Sequence, residues 1–354
     1  MGKKTYKVTL TTHGPVHIGA SQIIKKSEYI YDFHKKLVHV VDLGKLTKFL
    51  KHRNLLDAFT NYLVEYGNRA DLKRFLGDQK IQQRDWQAFI TVTLPVHQGK
   101  ANPQTTQGRP SQGRHPMPGA NKPMNDLHLM VRDGRGAVYI PGSSLKGALR
   151  TVLLEDIEKD KRDNPLFGYI QVSDSLPIAQ ERLAIYQKID VNKEAKPMPL
   201  YRECIDVGTK VMFRMTIDDD ANLPIVEVEK RIKQFYLNYW NNWFAGVANT
   251  EGGKQTLKGG LVTTAIHAKN HPQVLFLGGG AGFVSKTLQY QMYDKETAKK
   301  KVFAELQKRF GRVYKRDWNV PENVPLALKA TVDDSKNRWY QQGACTIEFE
   351  EMKR

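Results

Sequence analysis

At 354 residues the chain is longer than one average domain of about 100–200 residues, so two domains are expected. With 40% apolar and 26% charged residues it can bury a core, which excludes a wholly disordered chain, and no run reaches the roughly 18–20 apolar residues of a membrane span. Fifty-five Lys and Arg against 37 Asp and Glu leave +18, an excess that points to a polyanionic partner, nucleic acid first and an anionic membrane surface second.

Thr5 to Thr12 reads as a strand, with Tyr6, Val8 and Leu10 alternating against Lys7 and Thr9. A turn at His13-Gly14-Pro15 leads to His17-Ile18-Gly19. Glu28–Phe33 and Leu37–Val41 form a predicted hairpin, and about residues 42–88 are helical in pattern. Ala88–Val96 returns to strand. Gln98–Asn125 holds five prolines, four glycines and no acid, which predicts an exposed arm, with Arg109 and Arg114 placed to meet a polyanion. Leu127–Arg132 and Ala137–Ile140 are predicted strands, and a helix follows from Ser143 or Ser144. Further strands are expected at Tyr169–Asp174, Arg182–Lys188 and Tyr201–Ile217. Val226–Phe244 is a predicted helix with Val228, Ile232, Phe235, Leu237 and Trp240 on its apolar stripe. A short strand at Val274–Leu277 runs into glycines. Glu296–Phe310 is a last helix, and Leu326–Thr331 and Cys345–Phe349 are closing strands. Elements of both kinds alternate without a β-α-β rhythm, so the expected class is α+β with antiparallel sheets.

Ile140–Arg150 reads as strand, Pro-Gly turn and capped helix. A helix N-terminus offers N–H groups to an anion, and Lys146 and Arg150 are i,i+4 neighbours that could reach one phosphate. The competing reading is an ordinary strand–turn–helix corner. Phe276–Thr287 carries Gly278, Gly279, Gly280 and Gly282, with Lys286 expected to open the next helix. These glycines either form an anion nest or permit tight packing. Neither segment has Walker or dinucleotide-binding spacing, and no cofactor or metal site is expected. Asp218-Asp219-Asp220 reads as a solvated turn, and Cys204 as core. Two cysteines are too few for a disulfide framework or a four-cysteine zinc site. The basic start lacks an apolar segment and no lipidation signal is evident, so a cytoplasmic protein off the membrane is expected. His13 and His17 flank the first turn and are candidate acid and base for RNA cleavage, the alternative being polar loop histidines, one of them on a nucleotide.

Taken in order, the strand with His17-Ile18-Gly19, the Ile140–Arg150 corner and Gly278–Phe283 resemble the RAMP superfamily of CRISPR–Cas proteins. Pro165-Leu166-Phe167-Gly168 and Val172-Ser173-Asp174-Ser175 add to the likeness. Within it, length and the single late glycine loop are most like the type III-A effector subunit that caps the 3′ end of the CRISPR RNA (crRNA). The resemblance implies two ferredoxin-like, RRM-related domains. These are placed at 1–175, with the 42–88 helical insertion and the 98–125 arm, and at 176–354, with the 278–283 loop. It also implies a non-catalytic subunit needed for crRNA maturation and assembly. Its partners would be crRNA, target RNA, the repeated RAMP backbone subunit and the small helical subunit. The implied RNA contacts are His17, Gly19, Ser143, Ser144, Lys146, Arg150, Gly278, Gly279, Gly280, Gly282 and Lys286. The RNP aromatics of an ordinary RRM are not evident, which favours backbone-phosphate recognition over stacking on the sheet. The alternatives are a metal-independent endoribonuclease acting on precursor crRNA and the RAMP subunit that holds the crRNA 5′ tag.

Overall fold

The period-two pattern of the first strand sets the centre of the molecule. In the computed structural model, which describes residues 2–99, 124, 126–154, 165–258 and 273–353, β1 (Lys3–Thr12) buries Tyr6, Val8 and Leu10 on one face. It lies between β10 (Lys210–Asp218) and β14 (Ala344–Glu351). With β7 (Ile170–Val172) and β11 (Val274–Phe276) at the edges this is a five-stranded antiparallel sheet. Its buried face packs on the apolar stripes of α4 (Gly142–Leu153) and α5 (Ile225–Tyr239), through Leu145, Leu149, Val228 and Ile232. On the other face, β1 and β10 present Thr5, Lys7, Thr9, Lys210, Met212 and Arg214, with no aromatic side chain.

The second sheet runs β2 (Gly19–Ile24), β6 (Leu127–Met130), β9 (Ala195–Ile205), β8 (Leu183–Val191), β5 (Ile90–His97), β4 (Leu37–Val41), β3 (Tyr29–Asp32). β12 (Leu328–Asp333) pairs with β8, and β13 (Arg338–Gln341) with β12. Its pairings are antiparallel except for short parallel contacts of β5 with β8 and β6 with β9. Each sheet takes strands from both sides of residue 175. The 1–175 and 176–354 division is therefore a proposal about folding units, not a boundary between sheets.

The 42–88 region is helical, as its pattern predicts. α1 (Leu43–His52) and α3 (Leu72–Asp78) are N-capped by Asp42 and Asp71, and with α2 (Leu56–Tyr66) they close a small core of their own around Leu46, Leu50, Phe59 and Phe75. A further core joins the C-terminal half of α5 to helix Lys295–Arg309 and β12 through Phe235, Tyr239, Phe303 and Ala330.

Several local expectations are corrected. Ala137–Ile140 is no strand, only a bridge at Val138, because Asp133 folds the chain back on itself by accepting from the Arg135 and Ala137 N–H groups. The predicted strand Tyr201–Ile217 is two strands, β9 and β10, parted by a turn in which Asp206 takes the Val207 N–H. The helix over Val226–Phe244 passes into a π turn at Trp240–Phe244. Tyr236 and Tyr239 are buried, while Leu237 and Trp240 are half-buried. Lys286 opens no helix but ends the short 3₁₀ turn Val284–Lys286.

Candidate nucleic-acid interface

Three separate segments close on one cleft. The Gly279 N–H donates to the His17 carbonyl at 2.7 Å, and a Cβ at Gly278 would lie 2.1 Å from that same oxygen, so the glycine loop rests directly on the His17–Gly19 turn. Gly278 has φ +77°, which only glycine adopts without strain. Gly19 is needed too, because a Cβ there would stand 2.8 Å from His17 Nε2. α4 supplies the third wall with Ser144, Gly147, Ala148 and Thr151, the small residues of one helical face. With His128, Arg202, Ser285 and Lys286 these segments surround a cleft of about 610 Å³, within the range of small-ligand pockets.

The electrostatics are one-sided. Arg202 and Lys286 both line the cleft, and no Asp or Glu does. Burial holds the Arg202 guanidinium below its ordinary pKa, and burial and then Arg202 do the same to the Lys286 ammonium. His128 is lowered by burial and by Arg202. His17 is buried and donates from Nδ1 to the Glu203 carbonyl at 2.7 Å. Burial above all, with Arg202 and His128 adding, pushes its pKa down to about 4. At neutral pH it is therefore uncharged, with Nε2 as an acceptor. The one acid adjacent in sequence, Glu203, faces away. Fully buried, it takes the Arg132 guanidinium at 2.6 and 2.9 Å and the Met130 N–H at 2.8 Å. The cleft thus holds two partly desolvated cations with no counter-charge among its lining residues, an arrangement that an anion would complete.

Of the residues named from sequence, His17, Gly19, Ser144, Gly278, Gly279 and Lys286 line this cleft. Gly280 and Gly282 stand in the same loop at φ +93° and +96°, and a Cβ on Gly280 would come 2.1 Å from Gln342 Oε1 and 3.0 Å from Arg202 Nη1. Ser143 is exposed at the start of α4. Lys146 and Arg150 lie off the cleft, and the Arg150 guanidinium sits 5.5 Å from the Phe167 ring. The cause is helical geometry: Leu145 and Leu149 face the core, which leaves 146 and 150 on a different side from 144, 148 and 151. No serine caps α4. The Gly142 N–H donates to Asp174 Oδ1 at 2.8 Å, and a Cβ on Gly142 would meet the Val172 carbonyl at 2.3 Å. A carboxylate of the chain itself occupies the helix end that the sequence offers to phosphate. Likewise the Gly279 N–H is committed to His17, so at that residue tight packing prevails over an anion nest. Arg109 and Arg114 lie outside the described residues.

Arg202 and His128 were missed. The available signal was Arg202 itself, a cation in the apolar strand pattern Tyr201–Ile205. His13 lies off the cleft, its Nε2 2.9 Å from Thr346 Oγ1. Asp219 and Asp220 are exposed in the 3₁₀ turn Asp219–Ala221, as expected, whereas Asp218 ends β10 and ion-pairs with Lys3 at 3.8 Å. Cys204 and Cys345 are buried and unpaired, with burial pushing both thiols up, Cys345 to about 12. Among the described residues, His97, Asp333 and Asp334 bring ligand atoms within 4.8 Å of one another and could hold a metal ion. Lys336 and Lys36 already ion-pair with the two aspartates.

The RAMP superfamily model matches residues 9–265. A protein of Enterococcus italicus named CRISPR system Cms protein Csm5 is 52% identical over 352 residues, 99% of each chain. A Streptococcus thermophilus protein of the same name is 30% identical over 80% of each. Among solved structures, a chain of a cryo-EM Csm–crRNA–target RNA ternary complex of a type III-A system superposes with a TM-score of 0.66 at 16% identity, covering 97% of this chain and all of that one. A crystal structure of T. onnurineus Csm5 gives 0.62 at 16% identity, covering 96% and 99%. No helix among the described residues is long and apolar enough to cross a membrane.

Proposed function

The chain belongs to the RAMP superfamily, and we propose that it is a crRNA-binding subunit of a type III-A Csm effector complex, acting in the cytoplasm without catalysis of its own. The observation that carries this reading is the cleft beside the glycine loop, lined by Arg202 and Lys286 and by no acid, with Asp190 acting on Arg202 only from outside the lining. An RNA backbone phosphate supplies the missing charge, and neutral His17 supplies an acceptor at the wall. The aromatic-free outer face of β1 and β10 favours backbone recognition over base stacking there. The full-length likeness to Csm5 proteins supports the finer assignment that the chain caps the 3′ end of the crRNA filament and takes part in crRNA maturation and assembly. Its partners in that role are the other Csm subunits, crRNA and target RNA.

Binding of single-stranded RNA to the purified chain, measured across salt concentrations, tests the cleft. Each phosphate neutralised contributes a slope of about −0.7 in log K against log salt. Arg202→Ala with Lys286→Ala is expected to reduce the parent slope by about 0.7 to 1.4. Lys146→Ala with Arg150→Ala, off the cleft, is expected to change it less. Equal slopes for parent and Arg202/Lys286 variant reject the cleft as the phosphate site. The 3′ assignment is tested by reconstituting the complex on a crRNA with a photocrosslinker at its last nucleotide. The label is expected on this chain, and transfer to other subunits only overturns the assignment.

A further inference from the structure

The largest concentration of positive charge among the described segments is in residues that do not line the cleft, although Arg309 packs 5.9 Å from the Phe283 ring at the end of the glycine loop. Lys295 to Trp318 contains nine Lys and Arg against three acids, six of the chain's eighteen excess charges in a short stretch. Two of the acids are already engaged: Glu296 with Lys299 at 2.9 Å and Glu305 with Arg309 at 2.6 Å. The helix Lys295–Arg309 buries Ala298, Val302, Phe303 and Leu306, and leaves Lys300, Lys301 and Lys308 exposed.

Beyond this helix the chain holds large apolar side chains in solvent. Phe310 is 52% exposed, Val313 55% and Trp318 41%, interleaved with exposed Arg312, Lys315 and Arg316. The loop is nevertheless fixed. Tyr314 is buried and its hydroxyl accepts from the Leu326 N–H at 3.1 Å. Gln307 Nε2 donates to the Lys315 carbonyl at 2.8 Å, and the Tyr314 N–H to the Phe310 carbonyl at 2.9 Å. Phe310 and Trp318 are thus displayed from an anchored loop among cations.

We propose that Lys295–Trp318 is a second single-stranded RNA surface, on which bases stack against Phe310 and Trp318 while Lys308, Arg312, Lys315 and Arg316 take the phosphates. Aromatic faces alternating with cations are the chemistry that single strands require and that folded acidic proteins do not, since stacking accepts any base and the cations follow the backbone. This inference does not rest on the cleft. It adds a contact able to hold RNA that continues past it.

The full chain is tested with a fluorescent oligouridine of about 30 nucleotides. Phe310→Ala with Trp318→Ala, both exposed, is expected to weaken binding about tenfold or more with an unchanged salt slope, because stacking releases no counterions. Arg312→Ala with Lys315→Ala and Arg316→Ala is expected to lower the slope by about two. Crosslinking of 4-thiouridine RNA, read by mass spectrometry, is expected to mark Phe310–Trp318 in the parent. Parental RNA binding by both variants overturns the proposal, as does loss of association with the other complex subunits at unchanged RNA affinity, which would make the surface a protein contact. Loss in these variants with none in Arg202→Ala/Lys286→Ala would refute the cleft and leave this surface standing. The converse would refute this surface alone.

Discussion

Titration of His17 links the floor of the cleft to the stability of the whole chain. In the unfolded chain its imidazole takes a proton near pH 6.5, and in the folded protein only near pH 4, because the ring is buried and faces Arg202. Between those values the unfolded state binds more protons. The stability that neutral His17 contributes is therefore complete above about pH 6.5 and is lost as the pH falls toward 4. At about 1.36 kcal/mol per unit, that loss is about 2 kcal/mol by pH 5 and about 3 kcal/mol by pH 4. Carboxylates also titrate in this range, so the informative quantity is a difference. His17→Asn removes the titration and keeps an amide N–H at the place of Nδ1, facing the Glu203 carbonyl. Urea unfolding of parent and variant at constant ionic strength from pH 8 to 5 is expected to show the parent losing about 2 kcal/mol more than the variant. Parallel profiles would refute the buried, neutral state of His17 and with it the acceptor role of Nε2.

Glu203→Ala is expected to cost about 3–5 kcal/mol in denaturant unfolding, because it leaves Arg132 and the Met130 N–H without their buried partner. Gly278→Ala is expected to destabilise by about 1–3 kcal/mol, since its Cβ would enter the His17 carbonyl at positive φ. The thermal midpoint should fall even without RNA, and a parental midpoint would show that the two loops do not pack as described.

The sequence by itself determined the class, the positions of most elements and the residues of the glycine loop. These follow from local physics: β1 alternates with period two, α5 and the 42–88 helices carry apolar stripes, and four glycines in five residues mark a place where side chains do not fit. Net charge and the ordered motifs also pointed to RNA. What only the tertiary structure decided is which charges face the same space. Lys146 and Arg150 were legible as an i,i+4 pair, but the direction of that face depends on how Leu145 and Leu149 dock on the five-stranded sheet. The α4 terminus looked open to phosphate until Asp174, thirty-two residues on, was brought to it by β7. Arg202 became a cleft residue because β9 lies beside β6 and below the glycine loop, a juxtaposition of three distant segments. Sequence periodicity reports one element's own faces. A cleft lined by cations and by no acid is a property of several elements in contact, and it exists only once they have packed.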